Sequence, residues 1–288
     1  MTAITASAVK ELRDKTGVSM MACKKALEEV GGDLNAAVEL LRKRGEAVAQ
    51  KRSSHAATEG KIIAGREGDI VGLVEVSAET DFTARNDDFA AFCKSVLATV
   101  LATKPTDMDA LQAASMNGVS VAQATADIVG KIGENIAVRR FSVLKADTDT
   151  TVESYIHGPG KIGVVVTLSH AGLASNEKIS NLAKDLCLQV AAAAPVALES
   201  AGISEDVLAK EREIYKEQAA NEGLPEAKIP MVIEGRVKKF LKEAALVEQL
   251  FVKDNKQTVT KVVEQVGKEV GGSIKIVSFL RWQLGEAL

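Results

Sequence analysis

The sequence predicts an α+β protein with a helical front end and a core built twice over. Three observations lead there. Apolar residues in the first 45 positions recur at helical steps of three and four. From Lys61 the pattern becomes hairpin, helix, helix, strand, and that order returns about 90 residues later. The second copy is interrupted by a charged helical insert that the first lacks. A chain of 288 residues has room for two to three domains, at about 100–150 residues each.

Three short helices account for residues 1–45. The first carries Ile4, Ala8 and Leu12, the second Met20, Cys23, Leu27 and Val30, the third Leu34, Val38 and Leu41. Gly17 and Gly31-Gly32 separate them, and Ser19 and Asp33 stand where N-caps belong. So few residues make a small core, marginal on its own. The stretch that follows, RKRGEAVAQKRSSHAATEG, is polar and basic and is expected to be a solvated linker.

KIIAGREGDIVGLVEV reads as a β-hairpin turning around Glu67-Gly68. A helix with Phe89, Phe92, Val96 and Val100 on one face follows, then Pro105. A second helix carries Val121, Thr125, Ile128, Ile132 and Ile136, and AVRRFSVLKA alternates as a strand.

The repeat is read from spacing. VESYIHGPGKIGVVVTL is again a hairpin, with Gly163 standing 91 residues after Gly72. Ile179, Leu182, Leu186 and Val190 lie 90 residues after the four apolar residues of the first helix, and Pro195 lies 90 after Pro105. Val266-Gly267 echoes Ile132-Gly133, and SIKIVSFLRW echoes the first closing strand. A tandem duplication explains these matches, and two copies are too few for a solenoid. By this register the second copy holds about 44 extra residues. Within them, Val207 and Ile214, Leu208 and Tyr215, and then Ile233, Val237 and Phe240 mark apolar seams on two helices, broken at Asn221–Pro225. The insert reads as an antiparallel coiled-coil hairpin with arms of about 25–30 Å. Pro230 either opens its second helix or kinks it.

Composition narrows the function. The formal net charge of −3 and only ten aromatic residues argue against a nucleic-acid binder with stacking platforms. No apolar run approaches the length of a membrane span, and the N-terminus carries neither a secretory nor a transit pattern. Cys23, Cys93 and Cys187 are odd in number and widely spaced, as expected of buried, reduced thiols in a cytoplasmic protein. No phosphate loop, dinucleotide fingerprint, nucleophile elbow or metal-spaced His/Cys cluster is present. Neither a cofactor nor a metal is expected.

Two segments stand out. SAETDFTARNDDF lies between the first hairpin and its helix, with Asn86 or Asp87 placed to cap that helix. Phe82 is then left in a polar loop beside Asp81, Thr83 and Arg85. Local chemistry favours its folding back onto the core. The second copy, SHAGLASNEKI, has no bulky counterpart, which favours a projecting phenylalanine instead. In the turn HGPGK, glycines around Pro159 would expose His157, which otherwise reads as an ordinary turn histidine. His55 is expected in the linker and His170 at the surface.

VKELRDKTGVSMMACKKALEEVGGD and EVSAETDFTARNDDF resemble the two signatures of the elongation factor Ts family, and KIGENIAVRR, YIHGPGKIGVVV and EGRVKKFLKE resemble its further segments in order. The resemblance implies that residues 1–54 are a ubiquitin-associated-like (UBA-like) three-helix module and linker. It implies core subdomains at 55–146 and at 147–200 with 247–288, and a coiled-coil insertion at 201–246. It implies a guanine-nucleotide exchange factor for elongation factor Tu, with no covalent chemistry of its own. Thr80, Asp81, Phe82 and Thr83 would dislodge the partner's Mg²⁺, and His157, Met20 and Met21 would be further contacts. Thr83 stands where the family pattern has valine. No direct nucleic-acid or membrane partner is implied, and homodimerisation is left open. The residues alone also admit an adaptor, or an acid–base enzyme using His157, His170 and Asp81.

Overall fold

A computed structural model describes residues 4–170, 172–174 and 176–287. The chain divides into two units. One holds the segments to Leu144, Gly158–Ile162 and the C-terminal end from Trp282; the other holds Lys145–His157 and Gly163–Arg281.

The first unit opens with α1 (Ala6–Thr16), α2 (Met20–Glu29) and α3 (Leu34–Arg52). Thr5, Ser19 and Asp33 cap them through side-chain oxygens, and Gly17 ends α1 in the left-handed region. Leu12, Cys23, Ala26, Leu27 and Ala37 are fully buried between them. Only residues 53–58 of the expected linker connect elements; residues 42–52 belong to a helix. α3 continues to Arg52 because its second half has its own partner, α7 (Val121–Ile132). Gly45 permits the approach: a Cβ there would lie 3.3 Å from the Ala126 carbonyl oxygen. A basic, polar composition described the outer face of that helix and concealed the inner one.

β1 (Glu59–Glu67) pairs antiparallel with β2 (Ile70–Ala78). Glu67 faces Ile70, so the turn is Gly68-Asp69, with Gly68 at φ 58°. A one-turn helix, α4 (Asp81–Arg85), leads into α5 (Asp87–Thr103). Then come α6 (Met108–Ala113) and a two-residue-per-strand hairpin, β3 (Ser115–Met116) and β4 (Val119–Ser120), elements too short to leave a periodic signal. α7 ends at Gly133, φ 84°, before β5 (Ile136–Lys145). Ile136 is therefore the first residue of a strand, not the last of a helix. The sheet order is β1-β2-β5. Its core combines Val74 and Val76 with Phe89, Val96, Val100, Leu111 and Val121.

Residues 282–287 return to this unit. Glu75 is fully buried and accepts from Arg139 Nη1 at 3.0 Å, Arg140 Nε at 2.6 Å and Gly285 N at 3.0 Å. A buried carboxylate is tolerable only with such partners. The Arg140 guanidinium also lies 4.5 Å from the centre of the Trp282 ring.

The second unit repeats the scheme with β6 (Thr150–His157), β7 (Ile162–Ser169), α8 (Glu177–Ala193), α11 (Val259–Glu269) and β10 (Lys275–Gln283), in sheet order β10-β7-β6. In each unit the closing strand joins the second strand of the hairpin. The late register differs from the sequence expectation. Val259 opens α11 as Val121 opens α7, a spacing of 138, and Gly271 at φ 82° matches Gly133. The echo at Val266-Gly267 is four residues early, because Gly267 lies inside α11.

Between the repeated helices stand α9 (Glu205–Asn221) and α10 (Ile229–Ala244), packed on each other, followed by β8 (Leu250–Phe251) and β9 (Asp254–Thr258). Each helix is about 25 Å long at ~1.5 Å per residue. Pro230 sits in the first turn of α10, where it costs no hydrogen bond. Val237 is buried in the seam, whereas Ile214 remains 45% exposed. Arg236 reaches across to Glu222 at 2.7 Å.

Candidate partner-binding site

The segment singled out by sequence forms a capped one-turn helix with an outward-pointing ring. Thr80 N-caps α4, its Oγ1 accepting from Thr83 N at 3.2 Å. Asn86 ends α4 and caps α5, its Oδ1 accepting from Asp88 N at 2.8 Å. Thr83 and Ala84 turn inward and are buried. Phe82 points the other way and is 79% exposed. The one-turn helix sets these directions, since residues one apart lie on different faces. Asp81 pairs with Arg85 at 2.9 Å along the surface of the same turn.

The base of the projection is fixed from below. Gly133 releases the chain from α7 into residues 134 and 135, which face residues 79 and 80. Glu134 accepts from Thr80 N at 3.1 Å and from Thr80 Oγ1 at 2.8 Å. Glu79 accepts from Asn135 N at 2.6 Å. Glu79 also approaches Arg52 at 3.3 Å and His55 at 3.4 Å, and the Asn135 side chain donates to the His55 carbonyl at 2.7 Å. The Asn135 N–H first, then His55 and Arg52, hold the Glu79 carboxyl below its ordinary range. Sequence reasoning missed Glu79, Glu134 and Asn135. KIGENI reads as a helix end, and nothing local shows which carboxylate meets which amide.

The other expected contact residues lie elsewhere. Met20 and Met21, in the first turn of α2, are 42% and 65% exposed. His157 is exposed, with its Nδ1 3.0 Å from the Tyr155 hydroxyl. His170 contradicts its expected surface position, being fully buried. Its Nδ1–H donates to the Leu173 carbonyl at 2.8 Å, and Nε2 accepts from Thr151 Oγ1 at 3.1 Å. Both ring nitrogens are thus hydrogen-bonded within the fold, and the ring is shut off from solvent. Burial pushes the Cys93 and Cys187 thiols up to about 12. Among the described residues, no cluster of three or more His, Cys, Asp or Glu could hold a metal, and no helix is long and apolar enough to cross a membrane.

Comparison with known proteins gives one consistent result. A family model described as "Elongation factor TS" matches residues 79–286. The chain is 43% identical to the elongation factor Ts of Chloroherpeton thalassium, over 99% of this chain and 100% of that protein. It is 42% identical to that of Clostridium acetobutylicum, over 99% and 94%. It is also 42% identical to that of Thioalkalivibrio sulfidiphilus, over 99% and 93%.

Proposed function

The chain belongs to the elongation factor Ts family, and on that premise we propose that it is a guanine-nucleotide exchange factor for elongation factor Tu, acting in the cytoplasm without covalent chemistry. The observation that carries this reading is Phe82, a large apolar side chain 79% exposed on a capped turn. Leaving an aromatic ring in water forgoes the free energy of its burial. A partner that receives the ring recovers it.

Asp81 and Phe82 make the contact, while Thr80 and Thr83 hold the turn that presents them. Mg²⁺ demands tight octahedral oxygen coordination and bridges nucleotide phosphates to the partner. A wedge that displaces its ligands leaves phosphate charge uncompensated, and GDP departs. By linkage, the factor weakens nucleotide binding by the same ratio as nucleotide weakens the factor's binding. Each tenfold costs about 1.4 kcal/mol, so contacts beyond Phe82 are needed to offset it. Met20 and Met21 on the first unit and His157 on the second are the candidates.

The test is stopped-flow release of a fluorescent GDP from elongation factor Tu. Wild-type protein should accelerate release strongly, and Phe82→Ala much less. A chain that binds the partner yet leaves release slow is an adaptor, and the exchange reading falls.

A further inference from the structure

Residues 79–80 and 134–135 form a reciprocal clasp. Glu134 accepts from the Thr80 N–H, and Glu79 accepts from the Asn135 N–H. The Thr80 hydroxyl does two things at once: its oxygen caps α4 at Thr83 N, and its proton goes to Glu134 Oε1. Glu134 therefore fixes the rotation of the hydroxyl that caps the turn.

Buried Thr83 and Ala84 seat the inner face of the turn on the core, and hydrogen bonds hold its two ends. α4 has five residues, Asp81–Arg85, far below the dozen or so at which a helix persists unaided. Phe82, mostly in solvent, gains almost no orientation from packing. The direction of its ring thus follows the backbone of the turn, which is set by the buried Thr83 and Ala84 beneath it and by the anchors at its ends, Thr80 and Asn86. Among the described residues, the Thr80 end hydrogen-bonds to a residue 54 positions away, whereas the hydrogen bonds of Asn86 are local.

We infer that Glu134 is a positioning residue for exchange, acting through Thr80 to aim Phe82. The inference rests on the reading of Phe82 as the wedge. A rigid wedge meets its target without first being ordered, and misplacing a reacting group by about 1 Å can cost on the order of a hundredfold in rate. Removing the clasp leaves Phe82 present but free to point elsewhere, so it lowers the maximal release rate more than it weakens binding.

The experiment is a double-mutant cycle on GDP release from elongation factor Tu, using the full chain, with the factor concentration varied. Glu134→Ala is expected to cut the maximal rate about tenfold while the half-saturating concentration stays within about threefold. In the Phe82→Ala background the same substitution is expected to change the rate less than about twofold, because the group it aims is gone. Glu134→Gln keeps one acceptor for the Thr80 N–H and should fall between wild type and Glu134→Ala. It also carries the cycle if Glu134→Ala melts early. Equal slowing in both backgrounds means a general structural role and overturns the proposal. So does an unchanged maximal rate in Glu134→Ala while Phe82→Ala is slow, which leaves the wedge reading standing. A Phe82→Ala protein as fast as wild type overturns both.

Discussion

Gly45 of α3 and Gly130 of α7 meet without room for a side chain: a Cβ built on Gly130 would lie 2.7 Å from the Gly45 Cα. This contact turns what reads as a linker into part of the first unit. Gly130→Ala must push the helices apart. Overpacking of this kind costs about 1–3 kcal/mol. The expected outcome is a lower melting temperature and faster tryptic cleavage after Lys51 and Arg52, read by limited proteolysis. Unchanged cleavage would mean that the two helices part freely already.

Gly133 is a second glycine fixed by conformation. It ends α7 at φ 84° with open space where a Cβ would point. Gly133→Ala therefore suffers only the backbone penalty, about 1 kcal/mol. Gly133→Asn should suffer less, since asparagine tolerates the left-handed region. Urea midpoints of the two variants test the order. Equal midpoints would argue against a left-handed C-cap.

The clasp predicts a pH dependence. Glu79 has a folded-state pKa depressed below its ordinary 4.5 by the Asn135 N–H, His55 and Arg52. A depressed carboxylate contributes stability that is full above its unfolded value and lost as pH falls through the folded one. Wild type should thus exceed Glu79→Gln in stability near neutral pH, and the difference should shrink as pH drops below 4.5. A difference that persists in acid would show that the charge of Glu79 is not what stabilises.

Cys93 and Cys187 should be inert. Both are buried, and burial pushes their thiols up to about 12, so thiolate is scarce at neutral pH. A maleimide should leave the native protein unlabelled, with Cys23 also buried, and label all three cysteines in denaturant. Rapid native labelling at Cys93 or Cys187 would contradict their placement.

Long periodic stretches were legible in the sequence. Phe89, Phe92, Val96 and Val100 announced a buried helix face, and all four are buried. The caps Ser19 and Asp33 were equally readable, and the cap of α5 was narrowed to Asn86 or Asp87, of which it is Asn86, because capping is local chemistry. Tertiary partners were not. Gly45 is ordinary until Gly130 arrives, and His170 looks solvated until Thr151 and Leu173 close on its ring. The site divided the same way. Phe82 stood out as an aromatic residue in a polar loop, whereas Glu134, 52 residues away, gave no local sign that it meets Thr80.

The central claim is that Phe82 drives exchange rather than merely adding affinity. The most direct measurement is the maximal rate of fluorescent GDP release from elongation factor Tu at saturating wild-type and Phe82→Ala protein. Because Phe82 projects rather than packs, the variant should melt with the wild type. A maximal rate reduced by about tenfold or more, some 1.4 kcal/mol or more of lost transition-state stabilisation, is the predicted result. A variant that needs a higher concentration but reaches the wild-type rate would contradict the claim.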